Sequence, residues 1–393
     1  MNLDKVLNKR VASVPPSGIR KFFDIVQQIP DAISLGVGEP DFVTPWPIRD
    51  AAIQSIEEGR TQYTSNWGLP KLRENVARYL KTRYDVSYDP ADEILITVGA
   101  SEGIDLAMRA LVEPGDEVLI PDPSYVSYAP CVIFAGGTPV PVRTCAEDGF
   151  AITPASLKAA VTARTKALIL PYPNNPTGGV MDREALLAVA DCLRGTDIMV
   201  ISDEIYSELV YEDHVHTAFA SLPGMHERTI TLNGFSKAFA MTGWRVGYAC
   251  APREILRPMF RIHQYTMLCA SMQGQVAASQ ALARAFSNQY EDVRKMVASY
   301  DRRRRLMVEG LNAIGLPCFT PKGAFYVFPS IAGTGLTSEE FCTRLLREMQ
   351  VACVPGTAFG DSGEGFIRCS YATGIEKLRE ALHRMETFVK RQM

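Results

Sequence analysis

The chain has 393 residues, 47% hydrophobic and 22% charged, a balance that excludes disorder and provides for one large and one smaller domain. A formal net charge of −3 leaves no electrostatic footprint for nucleic acid or an anionic membrane. The nine scattered cysteines, with no C-x-x-C pair, point to reduced thiols in the cytoplasm and away from a disulfide frame or a metal site.

The amino-terminal stretch, with Pro15, Pro16, Gly18, Pro30, Gly36, Gly38 and Pro40, reads as an arm and loop wrapping the body. Met1 to Phe23 carries charges throughout and no secretory pattern, and no apolar segment is long enough to span a bilayer. Short β-branched runs follow at Ile94–Val98, Glu117–Ile120, Ala167–Leu170, Ile198–Ile201 and Thr229–Leu232, with helical patterns between them such as Gly103–Leu111 and Arg183–Arg194. This alternation predicts an α/β fold with a mostly parallel sheet, helices on both faces and ligands beyond the carboxyl ends of the strands. From Tyr290 to Ile314, the apolar positions Val293, Val297, Tyr300, Met307, Leu311 and Ile314 predict one long amphipathic helix linking two domains, ended by Gly315-Leu316-Pro317. Within it, Arg302 to Arg305 reads as a solvated helix face. Ala324–Phe328 and Phe366–Ser370 read as strands of a smaller α+β domain. The predicted division is an arm with part of the small domain at 1–44, a large domain at 45–288 and a small domain at 289–393.

Residues able to do chemistry fall after the predicted strands: Ala100 to Glu102 after the first, Asn175 after the third, Asp203 after the fourth and Lys237 after the fifth. A lysine condenses with an aldehyde to form a Schiff base, and Phe235, Phe239, Met241 and Trp244 predict a desolvated setting that favours its neutral, nucleophilic form. Arg245, eight residues on, can fork two hydrogen bonds onto a phosphate. Gly99-Ala100-Ser101-Glu102-Gly103 opens a helix whose first-turn N–H groups suit an anion, although an ordinary helix start has the same composition. Pro173 to Gly178 is a turn by composition, and Asp203 is either a functional carboxylate or a cap for the next helix. A lysine that only snorkels and a Tyr125 that only packs remain the structural alternatives.

Ser236-Lys237-x-Phe239-x-x-x-Gly243-x-Arg245 resembles the cofactor-lysine motif of the pyridoxal-phosphate-dependent aminotransferases of fold type I, class I/II, the aspartate/aromatic aminotransferase-like group. The resemblance runs from about Ile33 to Ala372, with six motifs in the family's order. It implies a large domain with a mostly parallel, seven-stranded type of sheet, a smaller α+β domain, and pyridoxal 5′-phosphate joined to Lys237. In that family the residues matching Ala100, Ser101, Glu102, Ser236 and Arg245 hold the phosphate, and the one matching Tyr125 stacks on the ring. Asp203 matches the partner of the ring nitrogen, and Asn175 and Tyr206 match the partners of the phenolic oxygen. Lys237, Asp203 and Tyr206 are thereby the implied catalytic residues. Gly38, Asn175 and Arg368 match the substrate-carboxylate site, and Tyr63 matches a tyrosine reaching the phosphate of a partner subunit, so a homodimer with shared active sites is implied.

The implied reaction moves the amino group of an L-amino acid to a 2-oxo acid such as 2-oxoglutarate in two half-reactions, with Lys237 carrying the proton. Ser101 stands where dicarboxylate-specific relatives carry a lysine, so strict aspartate specificity is not implied. Pro16–Phe23 and His263–Tyr265 through Cys269–Ser271 resemble the branch with aromatic and N-acetyl-diaminopimelate aminotransferases; Arg20 or Lys21 is either a distal-carboxylate ligand or a surface charge. A carbon–sulfur β-lyase would use the same motifs and is separated from a transaminase by its products. A non-catalytic regulator would need an attached DNA-binding module, and the chain shows no basic helical extension.

Overall fold

The apolar runs become strands because helices cover both of their faces. The computed structural model describes residues 6–19, 29 and 31–392, so Arg20 and Lys21 lie outside the described residues. The strands are β1 (Ile33–Ser34), β2 (Ile94–Thr97), β3 (Glu117–Asp122), β4 (Thr138–Arg143), β5 (Thr165–Leu170), β6 (Met199–Asp203), β7 (Thr229–Gly234), β8 (Gly247–Cys250), β9 (Tyr326–Val327), β10 (Val351–Ala352), β11 (Val354–Pro355) and β12 (Ile367–Ser370). The main sheet has seven strands in the order β2-β8-β7-β6-β5-β3-β4. All its neighbours pair in parallel except at β8, which is antiparallel to both β2 and β7. β2, β3 and β7 are buried at every position, because helical layers cover both faces of the sheet. A two-stranded parallel pair, β1–β10, and a three-stranded antiparallel sheet, β11-β12-β9, complete the α/β architecture.

Two strands of the main sheet go beyond the five read from sequence. β4 carries Pro139 and Pro141, which interrupt the pattern and are tolerated because it is an edge strand paired only with β3. β8 is Gly247-Tyr248-Ala249-Cys250, whose glycine and alanine and lack of any β-branched residue leave no strand signal. The helical pattern at Gly103–Leu111 and the Gly99–Gly103 segment that opens it form one helix, Gly99–Leu111.

Helices Trp46–Glu57, Pro70–Tyr84 and Met272–Ser287 cover one side of the sheet, where Leu72, Val76, Ala277 and Ala281 pack with Ile96 and Tyr248. On the other, helices Gly99–Leu111, Tyr128–Ala135 and Arg253–Thr266 place Ile104, Met108, Val132, Leu256 and Met259 against Ile201 and Ile230. The predicted long helix forms over Glu291–Ala313. Its Val293 enters the first of these cores, whereas Met296, Tyr300, Met307 and Leu311 enter a carboxyl-terminal core with Phe325, Phe341, Tyr371 and Phe388. Leu35, beside β1, joins that same core.

The arginine run on this helix is not the solvated face that its composition indicates. Arg302 and Arg305 are exposed, but Arg304 is buried, pairing with Asp301 and Glu212 and donating to the Pro321 carbonyl. Arg303 is turned to Asp41, 2.8 Å away. At 3.6 residues per turn, four successive positions cannot share one face, so part of the run meets acids supplied by distant loops. Among the described residues, no helix is long and apolar enough to cross a membrane.

Candidate active site

The parallel strands deliver their following residues to one edge of the sheet. Ala100 and Ser101 follow β2, Tyr125 follows β3, Asn175 follows β5, Asp203 ends β6 with Tyr206 just beyond, and Ser236 and Lys237 follow β7. Arg245 precedes β8, and because β8 runs against its neighbours, its start lies at the same edge. All of these line one cavity of about 900 Å³, together with Gly38 and Arg368, which come from the segment after β1 and from β12. The site therefore sits between the main sheet and the small antiparallel sheet.

Lys237 donates to the Gly38 carbonyl, and its Nζ lies 5.6 Å from the Tyr206 ring centre and 5.4 Å from that of Phe325. Burial, with the charge of Arg368 next in weight, lowers its amine to about 8. The desolvation expected from sequence thus exists, but other residues supply it. Phe235, Phe239 and Met241 point into the core beside Tyr248, and Trp244 donates its indole N–H to Thr44 at 3.1 Å.

Asp203 is buried, and burial pushes its carboxyl up to about 6 against two hydrogen bonds that favour the ionised form. One is from the Tyr128 hydroxyl at 2.7 Å and the other from the Ile205 N–H at 3.3 Å. Tyr206 and Tyr326 share a hydrogen bond of 2.9 Å. Burial pushes the Tyr206 phenol well above its ordinary value, so it stays protonated and able to donate.

Arg368 is buried with its guanidinium 4.5 Å from the Tyr326 ring centre and 4.8 Å from that of Phe359. It donates to Asn175 Oδ1 at 2.9 Å and to the Gly36 carbonyl, while its Nε has no partner among the described residues. A buried unpaired guanidinium N–H is costly unless an acceptor arrives. Gly38 must lack a side chain, because a Cβ there would lie 2.8 Å from the Tyr326 hydroxyl.

At the opposite end, the helix Gly99–Leu111 starts with Val98 as its N-cap, which has no side chain to satisfy the first-turn N–H groups. Gly99 has φ +75°, and a Cβ on it would lie 2.6 Å from Arg245 Nη2. The missing methyl is what lets the guanidinium approach the helix start. First-turn amides, a hydroxyl and a guanidinium in one corner form a site suited to a phosphate.

Two of the residues named from sequence stand apart from the cavity wall. Tyr63 is 81% exposed. Glu102 turns its side chain away, accepting from the Val98 N–H and pairing with His263. Two residues the sequence reading missed belong to the wall, Tyr128 and Tyr326. Tyr128 lies three positions after Tyr125 on the same turn, an i, i+3 pair whose rings meet edge to face at 5.5 Å, and that spacing was the available signal.

Comparison with known proteins accords with this architecture. The sequence profile of the aminotransferase class I and II family matches residues 30–385. An aspartate aminotransferase of Pyrococcus abyssi is 48% identical over 98% of both chains. An aromatic-amino-acid aminotransferase of Thermococcus litoralis is 46% identical, again over 98% of each. The structure of the Thermus thermophilus aspartate aminotransferase with maleate superposes with a TM-score of 0.92 at 39% identity, covering 97% of this chain and 99% of that one. The chain belongs to the class I and II aminotransferases, enzymes of fold type I that transfer amino groups.

Proposed function

We propose that this aminotransferase binds pyridoxal 5′-phosphate in the cavity and moves the amino group of acidic and aromatic L-amino acids to a 2-oxo acid such as 2-oxoglutarate. One observation carries the reading: a lysine amine lowered to about 8 shares a cavity with a buried carboxylate and with a guanidinium whose Nε is unpartnered among the described residues. Those groups fit the cofactor. An aldehyde calls for an amine whose neutral form is within reach near physiological pH, and a ring nitrogen that gains a proton calls for a buried acid such as Asp203. When bound, pyridoxal phosphate supplies the carbonyl that takes up the amino group and a ring that draws electrons from the substrate's α-carbon.

The protein's own contributions follow from the geometry. Lys237 anchors the cofactor and carries the proton at the α-carbon, its amine tuned near the working pH. Asp203, oriented by Tyr128, holds the ring nitrogen's proton. Tyr125 packs on the ring, and Tyr206 and Asn175 donate to the phenolic oxygen. Ser236, Arg245 and the amides of Ala100, Ser101 and Glu102 hold the phosphate; Glu102 contributes through its backbone, since its carboxylate is engaged elsewhere. Arg368 clamps the α-carboxylate, with Asn175 and the Gly38 backbone beside it.

Substrate breadth is supported by the cavity wall. Val14, Ile19, Val126 and Phe134 give it an apolar side suited to an aromatic donor, and Ser101 itself brings no charge to a second carboxylate. The names of the aspartate and aromatic-amino-acid relatives are in keeping with both donor classes. A homodimer belongs to the same reading: Tyr63 is 81% and Tyr265 85% exposed, with Val43 and Trp46 adding apolar surface for a second copy to cover. So do a cytoplasmic location, in keeping with nine cysteines that are all free, and a division into an arm at 1–44, a large domain at 45–288 and a small domain at 289–393.

The test is to load the protein with pyridoxal phosphate and add glutamate, aspartate, phenylalanine or tyrosine singly, with no oxo acid. Transamination forms one oxo acid per site and stops until 2-oxoglutarate is supplied. Continuous release of pyruvate and ammonia from cysteine conjugates would identify a lyase instead, and failure to take up the cofactor would overturn the reading.

A further inference from the structure

Glu102 occupies the first turn of the phosphate-site helix yet lines no part of the cavity, and its partner His263 is fully buried on a separate helix, Arg253–Thr266. We infer that Glu102 and His263 form a positioning pair that sets the phosphate cup, an assignment that rests on the proposed cofactor site.

The geometry ties the pair to the cup at one atom. Glu102 Oε2 accepts from the N–H of Val98, and its Oε1 lies 2.7 Å from His263 Nδ1. Val98 is the residue where β2 turns into the helix, and its own side chain cannot cap the helix start. The carboxylate therefore fixes the turn from behind and leaves the first-turn amides facing the cavity. Immediately after Val98, the backbone of Gly99 packs against Arg245 so closely that a Cβ would lie 2.6 Å from Nη2. Any shift of Val98 changes the spacing between the cup's neutral donors and its one guanidinium.

Electrostatics explains why the pair has two members. A lone carboxylate within one turn of a phosphate would repel it in a poorly solvated setting. The Nδ1–H of His263, donated into that carboxylate, offsets the repulsion and holds the side chain turned away. His263 Nε2 has no partner among the described residues, so the imidazole is retained despite a desolvation penalty that an apolar side chain would avoid. Packing alone does not call for a histidine here.

The test compares two ligands, pyridoxal phosphate and pyridoxal without its phosphate, by their dissociation constants in His263→Leu, His263→Asn and His263→Gln. The asparagine amide reaches the place of Nδ1, whereas that of glutamine reaches the place of Nε2. In His263→Leu and His263→Gln the preference for the phosphorylated ligand should fall by about tenfold, the loss of one well-placed hydrogen bond. His263→Asn should stay within about threefold of wild type. The glutamine variant carries the comparison should the leucine variant not fold. Equal weakening of both ligands, or an unchanged preference in both the leucine and glutamine variants, would overturn the inference. A wild-type protein with no preference for the phosphorylated ligand would overturn the cofactor-site reading itself.

Discussion

Replacing Asp203 with asparagine isolates the free energy of burying one carboxylate beneath the active site. Burial raises its carboxyl from 3.8 to about 6, about two units at ~1.4 kcal/mol each, or roughly 3 kcal/mol. Because the folded state holds the proton more tightly than the unfolded one, this contribution to stability is fully present below about pH 4 and is lost as pH rises through about 6. Asparagine can still accept from Tyr128 and has no charge to bury. In urea unfolding of the cofactor-free protein, the stability of Asp203→Asn relative to wild type should therefore climb between pH 4 and 7 and level off at roughly 3 kcal/mol above its low-pH value. With pyridoxal phosphate bound, a protonated ring nitrogen offers the carboxylate a partner, so the advantage should shrink while amino-group transfer falls by two or more orders of magnitude. A stability difference that stays constant across this pH range would refute the reasoning.

Three further substitutions test separate parts of the site. Tyr128→Phe removes the 2.7 Å donor to Asp203, so its carboxyl should rise further and the acid limb of the kcat/KM profile should move up by about one pH unit or more; an unmoved limb would show that Tyr128 only packs. Arg368→Lys keeps the charge but loses the planar fork, and KM for every amino donor should rise by about 10- to 100-fold, measured by steady-state kinetics. Gly99→Ala places a methyl 2.6 Å from Arg245 Nη2 on a backbone of φ +75°, which should lower stability by ~1–2 kcal/mol in urea titrations and weaken pyridoxal phosphate binding in parallel.

The sheet and much of the site were legible because strands buried on both faces leave continuous apolar runs, and because residues placed after those strands share one edge. Ile94–Thr97, Thr165–Leu170 and Met199–Asp203 announced themselves in that way. β4 did not, since Pro139 and Pro141 belong to an edge strand, and β8, Gly247-Tyr248-Ala249-Cys250, holds no β-branched residue. The setting of Lys237 was predicted correctly in kind and wrongly in its makers. Sequence neighbours point into the core while Tyr206 and Phe325 supply the rings, and only the tertiary fold brings Phe325 there. Arg303 and Arg304 were misread for the same reason, as Asp41 and Glu212 are remote in sequence. Glu102 was placed in the right turn, but its carboxylate faces His263 on a helix about 160 residues away, a relation no local pattern carries.

In the proposed function, Lys237 is the covalent anchor of the cofactor. Borohydride reduction of the protein loaded with pyridoxal phosphate, followed by peptide mass spectrometry, tests it directly. One cofactor-sized label per chain is expected, on the peptide containing Ser236-Lys237, and none in Lys237→Ala. A label on any other lysine, or label that persists undiminished in Lys237→Ala, would contradict it.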